Sequence, residues 1–196
     1  MTHDIEDLIA LFDGIFADSH RTRLVRGEDE PIYLPSDAHH DHHRIVFAHG
    51  FFASALHEIS HWCIAGEARR QLEDYGYWYE PDGRDAERQV HFECVEAAPQ
   101  ALEALFSEAC RKPFEVSIDN LDGVEVDRGA FSAKVAARAA QYRREGVPMR
   151  AQALIDALAV YSGGGGIQAA VAAGRQRLVA RGATRPVEGD ADGGRA

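Results

Sequence analysis

FFASALHEISHWCIAGEARR, residues 51–70, is the stretch on which the reading of this chain turns. Leu56, Ile59, Cys63 and Ile64 recur at helical spacing, and no proline interrupts them. At its centre lies HEISH, residues 57–61. On a helix His57 and His61 stand at i and i+4, so both imidazoles leave one face about one turn apart. Two neutral ring nitrogens so placed can bind one metal ion at about 2.0–2.1 Å, with Glu58 beside them as the acid/base or a supporting group. The plainer alternative is an exposed helix face that happens to carry two histidines. Trp62 and Cys63 directly after the motif argue against full exposure.

Two histidines alone rarely hold a functional ion, so a third ligand is expected. Asp85 is placed to cap a helix from Ala86 to about Ala97, which carries Glu93 and Glu96 on neighbouring positions of one face. Glu96 is the preferred carboxylate, and Glu93 is the alternate or a supporting partner. Glu67 lies six residues past His61, where some metalloproteases place a third histidine. The glycine that such a turn needs is missing at Ile64, so Glu67 is the weaker option.

Upstream, Ile5, Leu8, Ile9, Phe12, Ile15 and Phe16 form the apolar face of a helix from about Asp4 to Phe16, capped by Asp4. Leu24 and Val25 read as extended, and Ile32, Tyr33 and Leu34 sit between Pro31 and Pro35, which suits an edge strand. His39, His40, His42 and His43 crowd the stretch SDAHHDHHR but read as a solvated loop. Residues 44–48, RIVFA, form a short buried strand that runs through His49 and Gly50 into the central helix. His49 stands at that junction, either facing the site or hydrogen-bonded at the strand end.

Downstream, Tyr75, Tyr77, Trp78 and Tyr79 crowd a loop before Asp82 and Asp85. These rings either plug the core or wall a pocket that receives a side chain. Pro99 is expected to open a separate helix through Arg111, since proline favours a first helical position. Helices are expected at about Arg128 to Arg144 and Met149 to Tyr161. Residues 163–166 then form a flexible glycine joint, followed by a detached alanine-rich helix from Ile167 to Ala180 and a disordered tail from Gly182. The expected domains are thus 1–162, functional, and 163–196, joint and flexible tail.

The chain has 196 residues, 45% hydrophobic and 27% charged, with a net charge of -11. These values fit one soluble globular domain, and the negative charge disfavours nucleic acid while suiting a cationic substrate. No apolar run is long enough to span a bilayer, and no signal-peptide pattern opens the chain. Cys63, Cys94 and Cys110 form no paired framework, in keeping with a cytoplasmic location. The fold class expected is α+β, a mainly helical single domain with a small sheet, in a zincin-like arrangement around the H-E-x-x-H helix.

Three blocks, RLVRGEDEPIYLP (23–35), RIVFAHGFFASALHEISHWCIAGEARR (44–70) and YGYWYEPDGRDA (75–86), resemble the elongation factor P hydroxylase family of bacteria. The resemblance runs from about Ile5 to Tyr161. It implies a non-haem iron hydroxylase, zincin-like in shape, acting with molecular oxygen on the β-lysylated lysine of elongation factor P. It maps a two-histidine, one-carboxylate Fe(II) site onto His57, His61 and Glu96, with Zn(II) as a substitute in purified protein. Glu58 would then orient a histidine or handle protons. Tyr77, Tyr79, Asp82 and Asp85 are the substrate-side candidates, and nothing points to a further cofactor site. Two competing readings remain: a zinc metallopeptidase with Glu58 as general base, and a non-catalytic adaptor that binds elongation factor P.

Overall fold

The computed structural model describes residues 3–73, 85–118 and 127–182. Helix α1, Ile5–His20, starts where Asp4 accepts a hydrogen bond from the Glu6 backbone N–H, and it stops at Arg21 in the left-handed region. It runs a turn further than its apolar pattern predicts. Leu8, Leu11, Phe12, Ile15 and Phe16 are buried on its inner face.

Strands β1 (Thr22–Arg26), β2 (Ile32–Leu34) and β3 (His43–Phe47) form one sheet in the order β1-β3-β2. β3 is central, parallel to β1 with Leu24 opposite Ile45, and antiparallel to β2 with Tyr33 opposite Ile45. The proline-flanked β2 is therefore an edge, as its sequence predicts. α1 is tied to the sheet by Asp13, whose carboxylate accepts from the Leu24 N–H at 2.9 Å. Leu24, Ile45 and Phe47 point into the core.

A short 3-10 turn, Ala48–Gly50, carries the chain from β3 into helix α2, Phe52–Ile64. His49 has φ 53° and Gly50 φ 71°, and this pair of left-handed residues reverses the chain. His49 donates its backbone N–H to Glu28 O at 2.8 Å, holding the turn against the loop after β1. α2 buries Ala55, Leu56, Ile59, Trp62 and Cys63. It ends at Ile64, with Ala65 as its cap, and Glu67 is exposed beyond it.

The sequence-based division at Pro99 is corrected by the structure: helix α3 is one unbroken element, Ala86–Ala109, with Pro99 inside it. An interior proline costs about 3 kcal/mol because it lacks the N–H and crowds the preceding turn. Burial of Ala101, Leu102, Leu105 and Phe106 on the far side of the proline, continuous with Glu96 and Gln100, offsets that cost.

Helices α4 (Arg128–Glu145), α5 (Met149–Ser162) and α6 (Ile167–Gly182) complete the order. The expectation of a detached α6 is also corrected. Ala170 is fully buried, Gly174 lies against Ile15 and Ala153, and Arg175 donates to Gly14 O at 2.6 Å. Small residues give α6 a flat face that meets α1 and α5 closely, a mode of packing that an apolar-periodicity reading misses. All six helices and the sheet share one cluster of buried residues, so the described residues form a single, mainly helical domain with a small three-stranded sheet.

Candidate metal centre

The centre is assembled where α2 packs on α3. His57 and His61 project from successive turns of α2, with ring centroids 4.7 Å apart and planes at 72°. Their Nε2 atoms face each other at 3.0 Å. Across from them, Glu96 on α3 divides its carboxylate between the two rings. Oε2 lies 3.5 Å from His57 Nε2, and Oε1 lies 3.3 Å from His61 Nε2. These three residues form the one group of metal-ligating type found among the described residues.

Glu93, the alternate carboxylate, points elsewhere and receives Lys134 Nζ from α4 at 2.7 Å. Asp85 caps α3, accepting from the Arg88 N–H at 3.0 Å, as its position predicts. Tyr77, Tyr79 and Asp82 lie outside the described residues. In the histidine-rich loop, Asp37 gathers the His40 ring and Arg44 at 3.0 and 3.1 Å, and His43 Nδ1 accepts from the Ser36 N–H. The His49 ring tilts against Phe51, with centroids 5.6 Å apart.

One buried carboxylate of the centre escapes the sequence reading. Glu103 Oε2 accepts from His57 Nδ1 at 2.9 Å. Glu96, Gln100, Glu103 and Ser107 stand at i, i+4, i+7 and i+11 of α3, and all are buried. Together with the buried Gln89 they make a polar stripe along the inner side of the helix. Splitting the helix at Pro99 breaks the phase between Glu96 and Glu103, and the stripe is then invisible. Gln100 is also part of the arrangement: its amide donates to Glu96 Oε2 at 3.4 Å and to Ser117 O at 2.8 Å, and its oxygen accepts from the Ser117 N–H. It thereby fixes both Glu96 and the irregular segment 112–118.

The electrostatics of the centre call for a cation. Burial opposes charge on the His57 ring, yet the hydrogen bond it donates to Glu103 and the negative charges of Glu96, Glu103 and Glu58 raise its pKa to about 10. Burial likewise opposes charge on Glu96, but His61 and His57 hold it at about 2. Glu58 is pushed upward, first by burial and then by Glu96 and Glu103, against the pull of the two histidines. A proton on His57 and a metal ion would satisfy the same surrounding carboxylates.

The donor set fits a metal ion. The two Nε2 atoms lie 3.0 Å apart, each has one Glu96 oxygen at 3.3–3.5 Å, and one donor atom from each of the three residues lies within 4.8 Å of the others, which suits a central ion with bonds of about 2.0–2.2 Å. Two imidazoles and one carboxylate also form the set that non-haem Fe(II) oxygenases use, while zinc accepts the same donors.

The fold and site thus define a mainly helical α+β protein with a candidate two-histidine, one-carboxylate metal centre between two packed helices. Comparison with known proteins agrees with the sequence resemblance. The family model for elongation factor P hydroxylase matches residues 11–171. A relative from Haemophilus influenzae, named elongation factor P lysine hydroxylase, is 48% identical over 161 residues, covering 82% of this chain and 90% of its own length. The chain belongs to the elongation factor P hydroxylase family, and it is an enzyme.

Proposed function

We propose that this enzyme hydroxylates the β-lysylated lysine of translation elongation factor P, using Fe(II) held by His57, His61 and Glu96 together with molecular oxygen. The observation that carries the proposal is the convergence of those three side chains at 3.0–3.5 Å in a chain 48% identical to a protein named as the lysine hydroxylase. Bound Fe(II) would supply the oxygen chemistry that an unactivated carbon requires, which zinc, having no redox chemistry, does not.

The chain's own residues account for the rest. Glu103 and Gln100 hydrogen-bond His57 and Glu96 from the α3 side. Glu58, whose carboxyl burial pushes toward the protonated form, is suited to hold or pass a proton beside the two histidines. The net charge of -11 favours a substrate side chain that carries two ammonium groups. Tyr77, Tyr79, Asp82 and Asp85 remain the proposed substrate-side residues. β3 leading through a tight turn into the HEISH helix is what supports a zincin-like reading. A translation-factor substrate goes with a cytoplasmic location, and no helix among the described residues is long and apolar enough to cross a membrane. Neither the zinc-peptidase nor the adaptor reading is favoured by a family whose members are named hydroxylases.

The test is the mass of β-lysylated elongation factor P after incubation with the enzyme, Fe(II), a reductant and air. The expected result is a gain of one oxygen, about 16 Da, on the modified lysine, abolished without oxygen and with His57→Ala. Cleavage fragments that depend on Glu58 would instead move the assignment to a zinc peptidase.

A further inference from the structure

We propose that Glu103 is the positioning residue of the metal centre: it holds the proton of His57 on Nδ1 and turns the Nε2 lone pair of that ring, but not that of His61, toward the metal position. This inference rests on the metal-centre reading of His57, His61 and Glu96.

The geometry is direct. Glu103 stands seven residues after Glu96 on the same face of α3, and its Oε2 lies 2.9 Å from His57 Nδ1. A carboxylate oxygen accepts and an imidazole nitrogen donates, so the bond assigns the hydrogen to Nδ1. The opposite nitrogen, Nε2, is then the one that faces His61 Nε2 at 3.0 Å and Glu96 Oε2 at 3.5 Å. Histidines that bind metals commonly donate their second N–H to a carboxylate or carbonyl, which fixes both tautomer and ring direction.

The two imidazoles differ in this respect. His61 Nδ1 is buried and has no hydrogen-bond partner among the described residues. His57 is therefore held from both sides, whereas no hydrogen bond among the described residues fixes the far side of His61. Glu103 is an expensive residue if its role is only to fill space. Its side chain is 12% exposed, and a leucine would fill the same volume without desolvating a carboxylate.

The test uses Zn(II) as a diamagnetic probe, read by chelator competition and by NMR of histidine labelled with nitrogen-15. The variants are Glu103→Leu, Glu103→Gln, His57→Ala and Glu96→Ala, each checked for folding by circular dichroism. Glu103→Leu is expected to weaken zinc binding about 10–100-fold. In the zinc-loaded protein it should also remove the slowly exchanging, downfield Nδ1–H resonance of His57. Glu103→Gln keeps an acceptor oxygen, so it should restore part of the affinity and show that resonance moved upfield. The upfield shift decides the matter even where the leucine variant fails to fold, and an unmoved resonance overturns the inference.

The control variants separate the two levels of the argument. Tight zinc binding lost in His57→Ala and Glu96→Ala, with Glu103→Leu unchanged in affinity and resonance, overturns the role of Glu103 alone. Zinc affinity unchanged in His57→Ala and Glu96→Ala overturns the metal-centre reading, and this inference with it.

Discussion

Arg150 stacks its guanidinium over the Trp62 ring, 4.6 Å from the centroid, and donates to the Trp62 carbonyl at 2.9 Å. The same nitrogen reaches Cys63 O at 3.1 Å and Ala65 O at 2.7 Å. α5 thus supplies a cation to the carbonyl end of α2, one residue beyond His61, where the last carbonyls have no intrahelical donors.

Arg150→Ala should accordingly destabilise the protein by about 3 kcal/mol, through lost charge-assisted hydrogen bonds and lost stacking on Trp62. Arg150→Lys should recover only part of this, because an ammonium can reach the carbonyls but cannot at the same time lay a planar group on the Trp62 ring. Urea unfolding of the three proteins gives the comparison. A lysine variant as stable as the wild type would show that charge alone, not the planar guanidinium, caps the helix.

Glu96 and Glu93 lie three residues apart but meet different partners, the histidines in one case and Lys134 in the other. Glu96→Gln should lower metal affinity by more than the roughly 10–100-fold typical of a residue outside the ligand set. Glu93→Gln should leave metal affinity within about threefold and cost about 1 kcal/mol, as expected for an ion pair whose carboxylate is largely covered but whose lysine is half exposed. Equilibrium dialysis against Zn(II) checks both. Equal losses in the two variants would contradict the geometry.

The difference between these glutamates marks where the sequence is informative. His57, Glu58 and His61 are legible because their spacing is local to one turn of one helix, and helical period alone brings them together. Glu96 is preferred over Glu93 from the sequence, but what separates them is which side of α3 faces α2, a tertiary fact. Glu103 was lost for a different reason. Pro99 reads as a helix start, and once the helix is divided there the seven-residue spacing from Glu96 carries no meaning. The strands were legible from Pro31, Pro35 and the apolar run before His49, but the order β1-β3-β2 was not, because pairing depends on contacts between segments that are far apart in the chain.

The docked position of α6 leads to a prediction whose sign is diagnostic. A Cβ at Gly174 would lie 2.7 Å from Ile15 Cδ1 and 3.0 Å from Ala153 O, both belonging to the core that α6 covers. In a free helix, Gly→Ala stabilises by about 1 kcal/mol through backbone entropy. Against this packed face Gly174→Ala should destabilise, by about 1–2 kcal/mol, since a well-packed core must open to admit a methyl group. Chemical denaturation reads the sign. A stabilised variant would mean that α6 does not pack as it does here.

His20 supplies a pH dependence independent of the metal centre. Its ring meets Phe16 and Trp62 edge-on at 5.4 and 5.7 Å, and Ser19 Oγ lies 2.8 Å from Nδ1. Burial, reinforced by the positive charges of Arg150 and Arg70, lowers it from 6.5 to about 4. Between those values the unfolded chain binds a proton at this residue and the folded protein does not. The stability that neutral His20 contributes is therefore complete above about pH 6.5, falls as the pH drops toward 4, and changes no further below it. Because the ring is half-buried, the loss between pH 7.5 and pH 5 should be about 1–2 kcal/mol. Urea unfolding of wild type and His20→Asn at both pH values isolates this contribution, since the site histidines and all other groups titrate alike in the two proteins. The wild type should lose that much more stability than the variant on acidification. Equal losses would show that His20 is protonated in the folded protein at pH 5, against the burial seen here.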